Sequence, residues 1–94
     1  MLDKLEDLKR QSEQSNERLR EMVVTELSED GIVALKMNGH RELKEIILDD
    51  AYTNYSKEDL EDLIYTSFNK ALEKVNKANE AEVMNSAKSL FPGF

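Results

Sequence analysis

The sequence predicts an α+β fold: a helix, a three-stranded antiparallel meander and a long second helix, in one domain over residues 1–94. Three observations carry that prediction. The first 22 residues contain neither Gly nor Pro and are rich in good helix formers. The middle of the chain holds short β-branched runs punctuated by Gly31 and by Asn38-Gly39. From Leu60 to Ala78 apolar residues recur at spacings of three and four. A chain of 94 residues buries a modest share of its surface, so pairing with a second copy is expected.

The first helix is expected from Met1 to about Met22. Its heptad places Met1, Leu8, Ser15 and Met22 on one seam position and Leu5, Ser12 and Leu19 on the other, so serines interrupt the seam. This is the pattern of a helix packing on its own domain or on a sister helix. Met22–Leu27 is short and β-branched, Ser28-Glu-Asp-Gly31 supplies a turn, and Ile32–Met37 forms a second strand. Asn38-Gly39 signals a tight turn, because both residues tolerate positive φ, and Glu42–Leu48 is the third strand. Strict alternation puts Leu43, Glu45 and Ile47 on one face and Lys44, Ile46 and Leu48 on the other, leaving apolar residues on both faces for a partner subunit to cover.

Residues 49–55 read as a polar linker. Ser56-Lys-Glu-Asp59 then has the N-cap and early acids of a helix start. Leu60, Leu63, Ile64, Ser67, Phe68, Ala71, Leu72, Val75 and Ala78 form a stripe wide enough to cover the sheet. Only Pro92-Gly93 forbids continuation, and the tail from Leu90 to Phe94 is apolar.

There is no cysteine, so a disulfide framework, a thiolate metal site and a cysteine nucleophile are excluded, and a reducing cytoplasm is the expected home. No apolar run approaches the roughly 20 residues of a membrane span. His40 has no second His or Cys to complete a zinc site and reads as a solvated turn residue. Asp49-Asp50 sits where a strand ends, and Glu58, Asp59, Glu61 and Asp62 sit on a helix start, where capping suffices, without calcium-loop spacing. No nucleophile elbow or phosphate-binding glycine run is present. The expectation is a non-enzymatic protein with no cofactor, metal or small-molecule substrate.

The remaining chemistry is electrostatic. The chain has 13 Lys and Arg against 20 Asp and Glu, a net charge of −7. The acid excess is largest in the middle, where residues 22–56 carry three basic and seven acidic side chains. Lys70, Lys74 and Lys77 share a helix face at i, i+4 and i+7. Charge alone reads that row as an ordinary solvated face.

Gly31, Val33, Leu35, Asn38, Gly39, Ile46, Leu48 and Asp49, followed by Leu60, Glu61, Asp62, Leu63, Phe68, Asn69 and Ala71, resemble the strand and helix blocks of the YbaB/EbfC family. The closing Phe91-Pro-Gly-Phe94 resembles that family's tail. The resemblance implies a homodimer shaped like tweezers, with a sheet extended across the subunits and helical arms that contact double-stranded DNA in the bacterial nucleoid. It makes Lys9, Arg10, Arg18, Arg20, Lys70, Lys74, Lys77 and Lys88 the candidate DNA contacts. Two departures stand out. Ser28-Glu-Asp-Gly31 replaces a glycine-rich turn and adds two negative charges, so this turn is expected not to touch phosphate. Tyr65, Thr66 and Ser67 stand where many relatives have small residues.

The expected function is therefore that of a nucleoid-associated protein contacting DNA phosphates through helix-borne Lys and Arg, with a role in DNA organisation or regulation. The rival, favoured by the acidity, is a homodimeric module that keeps the fold and binds a protein through the leucine seam or the apolar tail.

Overall fold

The middle strand of the sheet explains the architecture. β2 (Val33–Asn38) runs antiparallel to β1 (Val23–Leu27) on one side and to β3 (Leu43–Leu48) on the other. A computed structural model describes the backbone of residues 2–90 and the side chains of residues 3–88. Helix α1 (Leu2–Glu21) precedes the meander, and helix α2 (Lys57–Leu90) follows it. Each element lies within about one residue of its sequence expectation. Met1 and residues 91–94, including most of the apolar tail, lie outside the described residues.

The two sheet turns are built by short polar side chains. In the first, the Gly31 N–H donates to the Ser28 carbonyl at 2.9 Å with Gly31 at φ 76°. Ser28 Oγ donates to Asp30 Oδ1 at 2.7 Å and accepts from Val33 N–H at 3.0 Å. In the second, Asn38 Oδ1 accepts from the N–H groups of His40 and Glu42 at 2.9 and 3.0 Å. The residue with positive φ there is Arg41, at 66°, and not Gly39 as the Asn-Gly signal suggested. Gly39 is required for a different reason. Its N–H donates to the Leu19 carbonyl at 2.7 Å, and a Cβ on it would lie 2.7 Å from the Leu19 Cα. Close approach of the turn to the end of α1 excludes a side chain.

The stretch expected as a linker is instead a turn of 3-10 helix, Asp50–Asn54, capped by Asp49, whose side chain accepts from Ala51 N–H at 2.9 Å. The Asp49 N–H donates to the Ile32 carbonyl at 2.8 Å, so the segment is tied to the sheet. Ser56 caps α2 as predicted, accepting from Asp59 N–H at 3.1 Å.

Register places Val33, Leu35 and Met37 on the sheet face that α2 covers, and all three are fully buried. Ala71 and Val75 of α2 are fully buried with them, and every member of the predicted α2 stripe is buried or half-buried. A slip between Lys36 and Met37 pairs Lys36 with Glu45 but Met37 with Leu43. This bulge corrects the strict alternation expected of β3. Leu43 now shares the inner face with Ile46 and Leu48, the partners of Leu35 and Val33. Despite that, all six residues of β3 remain exposed.

α1 runs back along the far half of α2, which it meets at Glu82 through Arg18 and the half-buried Ser15, while the buried Leu19 backs onto Gly39 of the second sheet turn. Leu5 and Leu8 are 62% and 44% exposed, so the outer heptad seam is not core of this subunit. The helices project beyond the sheet, and the whole measures 62 × 21 × 15 Å.

Candidate nucleic-acid interface

The two flanks of α2 differ in chemistry. Lys70, Lys74, Lys77 and Lys88 fall within an arc of about 60° at 3.6 residues per turn, and all four are exposed. This flank borders β1. Lys74 Nζ lies 2.5 Å from Glu26 Oε2, and Lys70 lines a hollow of about 230 Å³ with Ser28, Glu29, Asp62 and Thr66. The opposite flank borders β3 and its turn. There Arg41 Nε donates to Asn76 Oδ1 at 2.8 Å, and Asn79 Nδ2 to the Gly39 carbonyl at 2.8 Å. Further toward the helix start, Leu43, Ile64, Tyr65 and Phe68 enclose an apolar groove of about 410 Å³.

The candidate cations of α1 do not share one surface. Lys9 and Arg20 lie about 20° apart around the helix, whereas Arg18 lies about 160° or more from both. Arg10 points away from the buried Leu19. Arg18 is drawn to α2: its Nε donates to Glu82 Oε1 at 2.9 Å and its guanidinium makes a second, shorter contact with the same oxygen. The structure thus gathers the four α2 lysines and leaves the four α1 cations dispersed.

Carboxylates engage half of the set. Lys74 meets Glu26, Arg18 meets Glu82, Lys77 meets Glu73 at 3.6 Å, and Arg10 meets Asp7 at 3.4 Å. Among the described residues Lys9, Arg20, Lys70 and Lys88 form no ion pair. Glu26 and Glu82 were missed by sequence reasoning, although a signal existed. Glu26 alternates with Val24 on the inward face of β1, and Glu82 continues the 71, 75, 78 stripe of α2. An acid at a core-facing position requires a cation partner.

The hydrogen bond from Arg18 holds the Glu82 carboxyl below the ordinary carboxylate value and raises the Arg18 guanidinium above its own. Asp30 is lowered by the Ser28 hydroxyl and the Ile32 N–H, and its own contact raises the Tyr55 phenol. Glu42 is lowered by hydrogen bonding from Asn38 and by Lys44. These groups sit in turns and helix packing rather than around a substrate-sized hollow. His40, expected to be solvated, is half-buried, and its Nε2 lies 3.0 Å from the Asn16 carbonyl. A carbonyl only accepts, so Nε2 carries the proton and the ring fastens the turn to α1.

Over residues 1–90 the chain matches the YbaB/EbfC DNA-binding family. A nucleoid-associated protein of Flavobacterium johnsoniae is 32% identical over 83 residues, covering 88% of this chain and 77% of the relative. One from Coxiella burnetii is 38% identical over 81 residues, covering 86% and 73%. The crystal structure of an uncharacterized Helicobacter pylori protein has the same fold, with a TM-score of 0.78 at 23% identity over 86% of each chain. With that match spanning both helices and the sheet, the chain belongs to the YbaB/EbfC DNA-binding family.

Proposed function

We propose that the protein is a non-enzymatic homodimer of the bacterial nucleoid that binds duplex DNA through its phosphates and acts in DNA organisation or regulation. The observation that carries the reading is the segregation of Lys70, Lys74, Lys77 and Lys88 on one exposed flank of α2, despite a net charge of −7. A row of ammonium groups on a straight helix tracks a phosphate backbone without reading base edges. The other candidate contacts, Lys9, Arg10, Arg18 and Arg20, are spread around α1, so only part of that set would meet one phosphate backbone.

The homodimer reading rests on β3. It is an unpaired edge, and Leu43, Ile46, Ile47 and Leu48 are each between 38% and 47% exposed. A long apolar edge invites pairing with another strand, and a second β3 placed there extends the sheet and covers the groove beside Tyr65. The lysine flank lies on the β1 side and stays open in such a dimer. Membership of a DNA-binding family and the names of the relatives support the nucleic-acid part of the reading.

Gel retardation of duplex DNA at several salt concentrations tests the proposal. Retardation at low salt that fades steeply as salt rises is expected. Charge reversal of Lys70, Lys74 and Lys77 together should weaken binding by more than tenfold on unrelated sequences. Absence of retardation at low salt overturns the DNA reading. The exposed Leu5, Leu8, Val83 and Met84 favour a second reading, a protein-binding module. It predicts a protein partner whose binding the lysine reversals leave unchanged.

A further inference from the structure

We infer that Glu26 and Glu82 set the DNA affinity of this protein by holding two of its phosphate-facing cations, Lys74 and Arg18, in internal ion pairs. The inference rests on the DNA reading above and names residues that reading does not include.

The four ion pairs of the candidate surface are of two kinds. Glu73 with Lys77 and Asp7 with Arg10 are solvent-exposed on both sides, at 67% and 73% and at 59% and 63%, and span one helical turn. Water already competes for both partners, so a phosphate replaces the carboxylate at little cost. Glu26 and Glu82 are different. Their side chains are only 10% and 13% exposed, whereas Lys74 and Arg18 remain 57% and 56% exposed. Each cation reaches the surface with its charge already engaged from beneath. A phosphate that takes the cation leaves a nearly buried carboxylate without its counter-charge, which carries a penalty.

Both carboxylates are also fixed in place. Glu26 stands opposite Leu35 in the sheet ladder, on the face packed against α2. Glu82 receives both contacts from Arg18 on a single oxygen, across the α1–α2 packing. The phosphates therefore meet Lys9, Arg20, Lys70 and Lys88 without such competition, and meet Lys74 and Arg18 against it. An acidic member of a DNA-binding family in this way keeps its cations in position while binding weakly.

The test compares duplex DNA binding by the full chain and by Glu26→Gln, Glu82→Gln and Glu73→Gln across a salt series. All three variants remove one negative charge, so Glu73→Gln controls for net charge. Each freed cation that meets a phosphate steepens the slope of log affinity on log salt by about 0.9, tightening binding about eightfold at 0.1 M salt. Glu26→Gln and Glu82→Gln should show this beyond the change in Glu73→Gln. Adding Lys74→Gln to Glu26→Gln should cancel the steepening gained by Glu26→Gln. Wild-type binding with Glu26→Gln and Glu82→Gln no steeper than Glu73→Gln overturns the inference and leaves the DNA reading standing. No retardation by any protein of the set overturns both. Circular dichroism checks the fold of Glu26→Gln, and Glu82→Gln, on the arm and away from the sheet, carries the test if that variant does not fold.

Discussion

Single residues decide how the turns of this protein are held. Gly39 is needed for space, because the Leu19 backbone occupies the place a Cβ would take. Gly39→Ala should therefore lower stability by about 1–3 kcal/mol through overpacking, read as a lower urea midpoint with an unchanged slope. Gly31 is needed for conformation, and nothing lies within 4 Å of its would-be Cβ. Acid sensitivity also belongs at this scale. Asp30, Glu42 and Glu82 all have carboxyls lowered in the folded protein from values near 3.8 or 4.5. Stability from these groups is fully present above their unfolded values and is lost as the pH falls through their lowered folded ones. The urea midpoint should thus hold from neutrality to about pH 5 and drop below about pH 4.5, and Asp30→Asn should make that drop shallower. Arg18 is raised above the ordinary guanidinium value by its contact with Glu82, so its charge is constant throughout this window.

Among the elements, β3 and α2 carry the argument. The bulge after Lys36 turns Leu43 inward and gives β3 an apolar inner face, yet α2 leaves that face exposed beside Tyr65. Ile47 points to the other face and is 42% exposed. Ile47→Glu should leave the fold of the subunit intact and weaken self-association, with sedimentation equilibrium shifting toward monomer at micromolar concentration. Wild-type protein sedimenting as a stable monomer under the same conditions would count against the homodimer. α2 was the most legible element, because its Leu60 to Ala78 spacing states the buried face directly and Ser56 states its start. Its lysine row was equally visible as a row. That Glu26, a residue 48 positions earlier than Lys74, would reach it was not visible, since only the register of β1 against β2 brings them together.

At the scale of the whole molecule, the 62 Å length and the sidedness of α2 matter together. The lysine row lies on the β1 flank and the apolar groove beside Tyr65 on the β3 flank, so the proposed DNA binding and the proposed self-association would use different sides. The sequence by itself determined the order of elements, their boundaries to about a residue and the buried stripe of α2, because local propensity and apolar period act within a few residues along the chain. It also offered the Lys and Arg residues that are candidates for meeting phosphate. Only the tertiary structure decided which cations share a surface, and which are already engaged by Glu26 and Glu82. Charge pairing acts through space at a few ångströms, and that proximity is created by strand register and helix packing, which no local pattern contains.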